Sequence, residues 1–354
     1  MAILEYYKGY EILPFCGGIL RRGGGLAEFR ANLGDAYRMQ AQYGADTGVR
    51  NWTLSFENIH ATLTKQSVEI DGTLVHASDY LWDLFFRSKR EGTPFIVRDD
   101  NGQYYLAEFA ESEISFTRKL VKAYQTSLNL TQVRLPGVSV FRPELLGFWG
   151  WYTDVTNTFT SSGWADSSGS GHNLVPSNAP TAPTIDVDPY GSTDLDVLKF
   201  HPTGSLGDYL KYAAPVLVKQ IFILMKMREA SFSTQGGVIS GNGTTDPILV
   251  GANTTTKFFN FGRAASLFSY RFEKNSVKYE ETDQQAPMNQ YGLVYLKAGG
   301  DAMPLNELRI GIDGTDVARF AKMNVGEIAV KADTHIRDEL VREYIEHVQT
   351  IWDY

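Results

Sequence analysis

The amino-acid sequence predicts a mainly β chain in two parts: a β-rich unit with one helix, then a β-sandwich or jelly roll ending in a helix. Three observations carry this. Short strand candidates separated by Gly, Asn, Asp and Ser turn signals run through most of the 354 residues. Apolar and polar residues alternate with period two at Asn51–Ile59, the mark of a half-buried strand. Helical spacing stands out at 78–90 and 333–352. Hydrophobic residues make up 43% and aromatic residues 13%, which excludes a disordered, collagen-like or coiled-coil chain.

The length fits two domains, and charge divides accordingly. Residues 1–135 carry 15 Lys/Arg against 16 Asp/Glu; the rest carry 18 against 25, giving the net −8. That balance excludes nucleic-acid wrapping as a main task. A lone cysteine, Cys16, excludes an internal disulfide framework and a cysteine-based zinc site. The N-terminus shows neither a basic leader nor a cleavage site. The most apolar stretch, 213–227, is interrupted by Lys219 and Lys226 and is too short to span a bilayer, so no membrane insertion is expected.

In the first part, residues 2–10 read as strand, and Gly17, Gly18, Gly23, Gly24 and Gly25 as a turning loop. The loop lacks the Lys-Ser/Thr ending of a phosphate cradle. In the strand at Asn51–Ile59, Trp52, Leu54 and Phe56 share one face. Val68–Ile70 followed by Asp71-Gly72 starts a hairpin. A helix follows with Ser78 as N-cap, Tyr80, Leu81, Leu84 and Phe85 as apolar face, and Gly92 as stop. Strands then read at 94–98, 103–109, 112–118 and 123–132, with a turn at 99–102.

Pro136-Gly137 and Pro143 punctuate a junction near 135–146, dividing the chain into 1–140 and 141–354. Turn signals at Ser168-Gly169, Gly191-Ser192, Gly241-Asn242-Gly243 and Asp313-Gly314 then separate short strands. From 333 to 352, Ile336, Leu340, Val341, Tyr344, Ile345 and Val348 form a helical face with Asp333 or Thr334 as N-cap.

No catalytic constellation is apparent, and the chain reads as no enzyme. The six histidines are scattered without metal-ligand spacing, and Gly169-Ser170-Gly171 lacks the strand–turn–helix setting of a nucleophile elbow. Asp99-Asp100 and Glu280-Glu281 are chain neighbours, which point to opposite faces of a strand. The acidic run 186–196 fails as an EF-hand, with Tyr190 at position 5 and Val197 at position 12. It reads as a solvated acidic loop, with a looser loop-held calcium as the alternative; no cofactor or metal site is assigned.

Aromatics remain. Phe148, Trp149, Trp151, Tyr152 and Trp164 cluster early in the second part, with Tyr209, Tyr212, Phe258, Phe259, Phe261, Phe268, Tyr270 and Tyr291 later. Such rings fill cores, or pack against the apolar face of a sugar.

Gly34-Asp35-Ala36-Tyr37-Arg38, Trp52-Thr-Leu-Ser-Phe56, the helix at 79–90 and Thr93-Pro94-Phe95-Ile96-Val97 resemble the distal tail and minor tail proteins of long, non-contractile-tailed bacteriophages, over residues 20–135. Phe148-Trp-Gly-Trp-Tyr-Thr-Asp154, the run from Trp164 through Asp166 to His172-Asn173, Val197-Leu-Lys-Phe200 and Asp208-Tyr-Leu210 resemble the opening of concanavalin A-like (laminin G-like) jelly rolls. Arg309-Ile-Gly311, Gly326-Glu-Ile-Ala-Val330 and the final helix are similar to its end.

The first resemblance implies a tail-tube-like β-sandwich assembling as a homo-oligomeric, commonly hexameric, ring between the tail tube and the hub or tip proteins. The second implies an outward module that adheres to host-surface polysaccharide, with Trp151, Tyr152, Trp164, Tyr209 and Tyr270 as candidate carbohydrate-binding residues; Trp164, Asp166 and Asp208 could instead stabilise turns. The expected location is the virion tail tip, after synthesis in the host cytoplasm. A decoration protein without glycan binding and a polysaccharide-degrading enzyme are the rival readings.

Overall fold

A computed structural model describes residues 2–14, 21–24, 28–32, 38–42, 50–60, 67–98, 102–120, 123–135, 137–177, 182–190, 193–200, 209–228, 236–241, 247–251, 257–259, 267–272, 278–280, 283–285, 291–299, 303–312 and 321–352. Cys16, Gly34-Asp35-Ala36-Tyr37, Asp99-Asp100, Gly191-Ser192, Asn242-Gly243, Asp313-Gly314, His201, Asp208, Phe261 and Glu281 lie outside them. The chain is mainly β and divides into two compact units, Met1–Leu145 and Leu146–Tyr354.

In the first unit a sheet runs in the order Glu5–Tyr7, Tyr10–Ile12, Phe95–Arg98, Tyr104–Phe109, Ala123–Gln132, Arg50–His60, Arg21–Gly24. Neighbours are antiparallel except Phe95–Arg98 and Tyr10–Ile12, where Ile96 faces Ile12 in parallel. Alternation sends Phe95, Val97, Tyr105 and Phe109 to one face, and Ile96, Tyr104 and Leu106 to the other. Helix α1 (Ala77–Glu91) lays Tyr80, Leu81, Leu84 and Phe85 on the first face, with the Phe85 and Phe109 rings 5.1 Å apart. Val140 closes the second.

Three sequence expectations change here. Arg21–Gly24 is a strand, with Arg22 opposite Trp52: pairing with the long strand Arg50–His60 overrides the local preference of glycine for turns. Helix α1 starts at Ala77 with His76 as N-cap, because the strand Thr73–His76 runs straight into it; Ser78 is therefore already helical. The strand expected at 112–118 forms at Thr117–Leu120. The hairpin at Asp71-Gly72 forms with φ of 48° and 78°, the left-handed pair of a tight two-residue turn.

The second unit has two larger antiparallel sheets. One is ordered Thr184–Tyr190, Thr193–Lys199, Met323–Ala332, Val216–Met227, Gly292–Ala298, Leu267–Phe272, Lys278–Glu280. The other is ordered Val175–Pro176, Leu210–Tyr212, Leu308–Ile310, Gly236–Ser240, Pro247–Gly251, Lys257–Phe259, Asp283–Gln285. Ile221, Ile223, Met225, Leu296, Val325 and Ile328 from the first meet Leu210, Ile239, Leu308 and Ile310 from the second in one apolar core. The apolar stretch beginning at residue 213 thus supplies a central strand, Val216–Met227. No helix among the described residues is long and apolar enough to cross a membrane.

A four-residue helix, α2 (Val155–Thr158), follows the first short strand of this unit, and α3 (Asp338–Trp352) ends it. Helix α3 covers the outer side of the first sheet, with Tyr344 against Phe222 at 4.9 Å and Phe148 at 5.1 Å. It begins four residues later than Thr334. The side-chain amide of buried Gln220 donates to the Ile336 carbonyl and accepts from the Ile336 N–H, while Asp333 sits at φ 62°. That clamp holds 333–337 out of the helix.

Candidate functional site

The loop 165–174 is built around one carboxylate. Asp166 accepts from the N–H groups of Trp151, Ser168 and His172 at 2.9, 2.8 and 3.1 Å, and from the Ser168 hydroxyl at 2.8 Å. Burial raises its pKa, but these four bonds outweigh that and hold the carboxyl below the ordinary 3.8. At the base of the loop Trp164 and Leu174 exchange backbone hydrogen bonds. Gly163 (φ 135°) permits this approach, since a Cβ there would lie 2.1 Å from the Leu174 carbonyl oxygen.

The loop delivers His172 to Trp149. The two rings stack at 4.2 Å and 14°, and His172 Nδ1 meets the Trp149 carbonyl. Tyr212 stands edge-on to both, at 4.8 Å from Trp149 and 5.2 Å from His172. All three are half-buried, so one small platform carries two aromatic rings and a fixed imidazole. Such a platform can take the apolar face of a sugar ring, with its polar edges for hydroxyl groups.

The residues singled out by sequence fall elsewhere. Tyr152 and Trp164 are corrected from ligand residues to core residues: both are fully buried, the Tyr152 hydroxyl donates to the His172 carbonyl, and Trp164 Nε1 donates to Thr158 Oγ1 at 3.0 Å. Trp151 is half-buried, with Nε1 donating to Glu327 at 2.9 Å. Tyr209 is half-buried beneath the Arg309 guanidinium at 5.8 Å. Tyr270 lies on Leu267–Phe272, and its side chain is outside the described residues. Asp166 does hold a turn. His172, Trp149 and Tyr212 were not singled out as a group; the signal was the Asp166-to-His172 loop itself.

The acidic run is not a solvated loop but a hairpin, Thr184–Tyr190 against Thr193–Lys199. Its carboxylates at Asp186, Asp188 and Asp196 have protein partners, the last accepting from the Thr156 hydroxyl. Asp186 pairs with Lys199 at 2.6 Å, and buried Asp188 meets Lys226, Tyr291 and Asn324. Burial raises Asp188, yet these partners hold its pKa below 3.8, while burial and then the Asp188 carboxylate push the Tyr291 hydroxyl upward. Among the described residues no group of three or more His, Cys, Asp or Glu could hold a metal ion.

Away from the platform lies a depression of about 620 Å³ lined by Lys297, His335, Arg337 and Asp338, unseen in the sequence. Lys297 donates to Asp338 at 2.9 Å, and burial followed by the charges of Lys219 and Lys297 lowers the His335 pKa.

No family model and no curated protein matches the chain. The solved structures it resembles include Trypanosoma rangeli sialidase in complex with the inhibitor DANA, at TM-score 0.35 and 11% identity, covering 71% of this chain and 43% of that one. The same sialidase in complex with 2,3-difluoro-KDN gives TM-score 0.34 and 8% identity, with 74% and 45% covered. The chain thus spans less than half the length of those structures. These neighbours are enzymes, so the reading of the chain as no enzyme is withdrawn. A likeness at this TM-score carries no argument for an activity, and none is assigned.

Proposed function

We propose that this chain is a structural component of a bacteriophage tail tip, a distal-tail-like protein whose first unit builds a ring between tail tube and tip. Its second unit is an outward lectin-like module for adhesion to host-surface glycan. The reading is supported by the two motif resemblances, which fall in separate compact units. The observation that carries the adhesive half is the Trp149–His172–Tyr212 platform on a well-packed β-sandwich. Ring assembly gives such a platform valency, so weak single contacts add as effectively intramolecular ones.

The test has two arms. Electron microscopy of the purified full chain is expected to show closed rings, commonly hexameric; monomers at every concentration would overturn the ring. A glycan array probed with the full chain is expected to give signals that Trp149→Ala and Tyr212→Ala remove. Rings with no glycan signal would favour the second reading, a tail decoration protein, which the burial of Tyr152 and Trp164 supports.

A further inference from the structure

We infer that helix α1 joins two copies of this chain by pairing antiparallel with itself across a two-fold axis. Its buried face is complete, yet Trp82 and Phe86 on the other side are each 47% exposed. Large aromatics four residues apart on an open helix face are unusual for a surface with no partner. Residues three and four apart share a face, so Asp79, Trp82, Phe86 and Lys89 form a single stripe along the helix.

Charge along that stripe is ordered. Asp79 precedes the aromatics and Lys89 follows them. Among the described residues neither makes an ion pair, whereas Asp83 is held within the helix by Arg87 at 2.8 Å. Reversing the helix turns acid–aromatic–base into base–aromatic–acid. A second copy laid antiparallel therefore sets Asp79 against Lys89 at both ends and Trp82 against Phe86 between them. A parallel pairing would set Asp79 on Asp79 and Lys89 on Lys89, which repel. The stripe is thus its own complement under a two-fold rotation, the defining property of an isologous contact.

Phe116 and Phe85 brace Trp82 from beneath at 6.4 and 6.3 Å, and the Arg90 guanidinium lies over Phe86 at 4.9 Å. The aromatic side chains are thus held in place before a partner arrives, which lowers the ordering cost of association.

This contact does not rest on the ring reading. In a chain that forms rings by head-to-tail contacts, it joins two rings into a dihedral assembly; in one that does not, it gives a dimer. The experiment is the solution mass of the full chain by sedimentation, with charge-exchanged variants. The unsubstituted chain is expected as a dimer or as twice a ring. Asp79→Lys and Lys89→Asp should each halve that mass, because each places like charges at both ends of the pair. Mixing these two variants should restore the full mass as a one-to-one assembly, since every end then meets its opposite. Trp82→Ser with Phe86→Ser should also halve the mass while circular dichroism stays unchanged. A single-copy mass for the unsubstituted chain at high concentration would overturn the inference. So would a mass indifferent to the charge variants, or no recovery on mixing them.

Discussion

Helices α1 and α3 are each 15 residues long and each covers one face of a sheet, but the two are finished differently. Helix α3 is bound by a polar network as well as by packing. Buried Glu327 accepts from Trp151 Nε1 at 2.9 Å, Thr153 Oγ1 at 3.2 Å, Trp352 Nε1 at 3.1 Å and the Tyr344 hydroxyl, tying strand and helix together. Gly326 leaves room for the Trp352 ring, where a Cβ would lie 2.9 Å from it. Helix α1 has a smaller clasp: buried Glu11 accepts from the Tyr80 hydroxyl and from Arg87 at 2.8 Å. Its other side keeps aromatics in the open. Helix α3 exposes one large apolar side chain, Ile351, whereas α1 exposes two aromatics one turn apart, a broader surface to share.

The strongest way to break this contrast is Glu327→Ala. It strands four donors beneath α3 and should cost the second unit about 3–5 kcal/mol, read as a lowered unfolding midpoint in denaturant. Glu11→Ala should cost the first unit less, about 2 kcal/mol by the same measurement, because the partly exposed Arg87 can turn to water or to Asp83.

Acid should weaken the second unit through two carboxylates. Asp166 and Asp188 have folded pKa values below the ordinary 3.8, so their stabilisation is fully present above that value and lost as pH falls through the folded values. Thermal melts of the second unit should therefore fall as pH drops below about 4. Asp166→Asn should flatten that dependence. The smallest effect on stability is expected for Trp82→Ser, about 1 kcal/mol in the dissociated chain, because the residue is half-exposed and loses only its contacts with Phe85 and Phe116. Its consequence should appear in assembly instead.

Local patterns revealed the elements whose partners are close in sequence. Period two located Arg50–His60, and spacing of three and four located the buried face of α1. What they missed depends on distant residues. The start of α3 is set by Gln220, 116 positions from Ile336. Arg21–Gly24 becomes a strand only because Arg50–His60 offers an edge. Aromatic type cannot separate Tyr152 and Trp164, sealed in the core, from Trp149 and Tyr212 at the surface, since burial follows from the stacking of two sheets. Asp188 of the acidic run looked solvated because Lys226, Tyr291 and Asn324 arrive from distant parts of the chain.

Amide hydrogen exchange of the full chain at low and high concentration tests the division of labour between the units most directly. Protection rising with concentration is expected only in the first unit, including Ala77–Glu91, while Asp338–Trp352 exchanges equally slowly throughout. Exchange independent of concentration across Ala77–Glu91, or protection gained only in the second unit, would contradict that division.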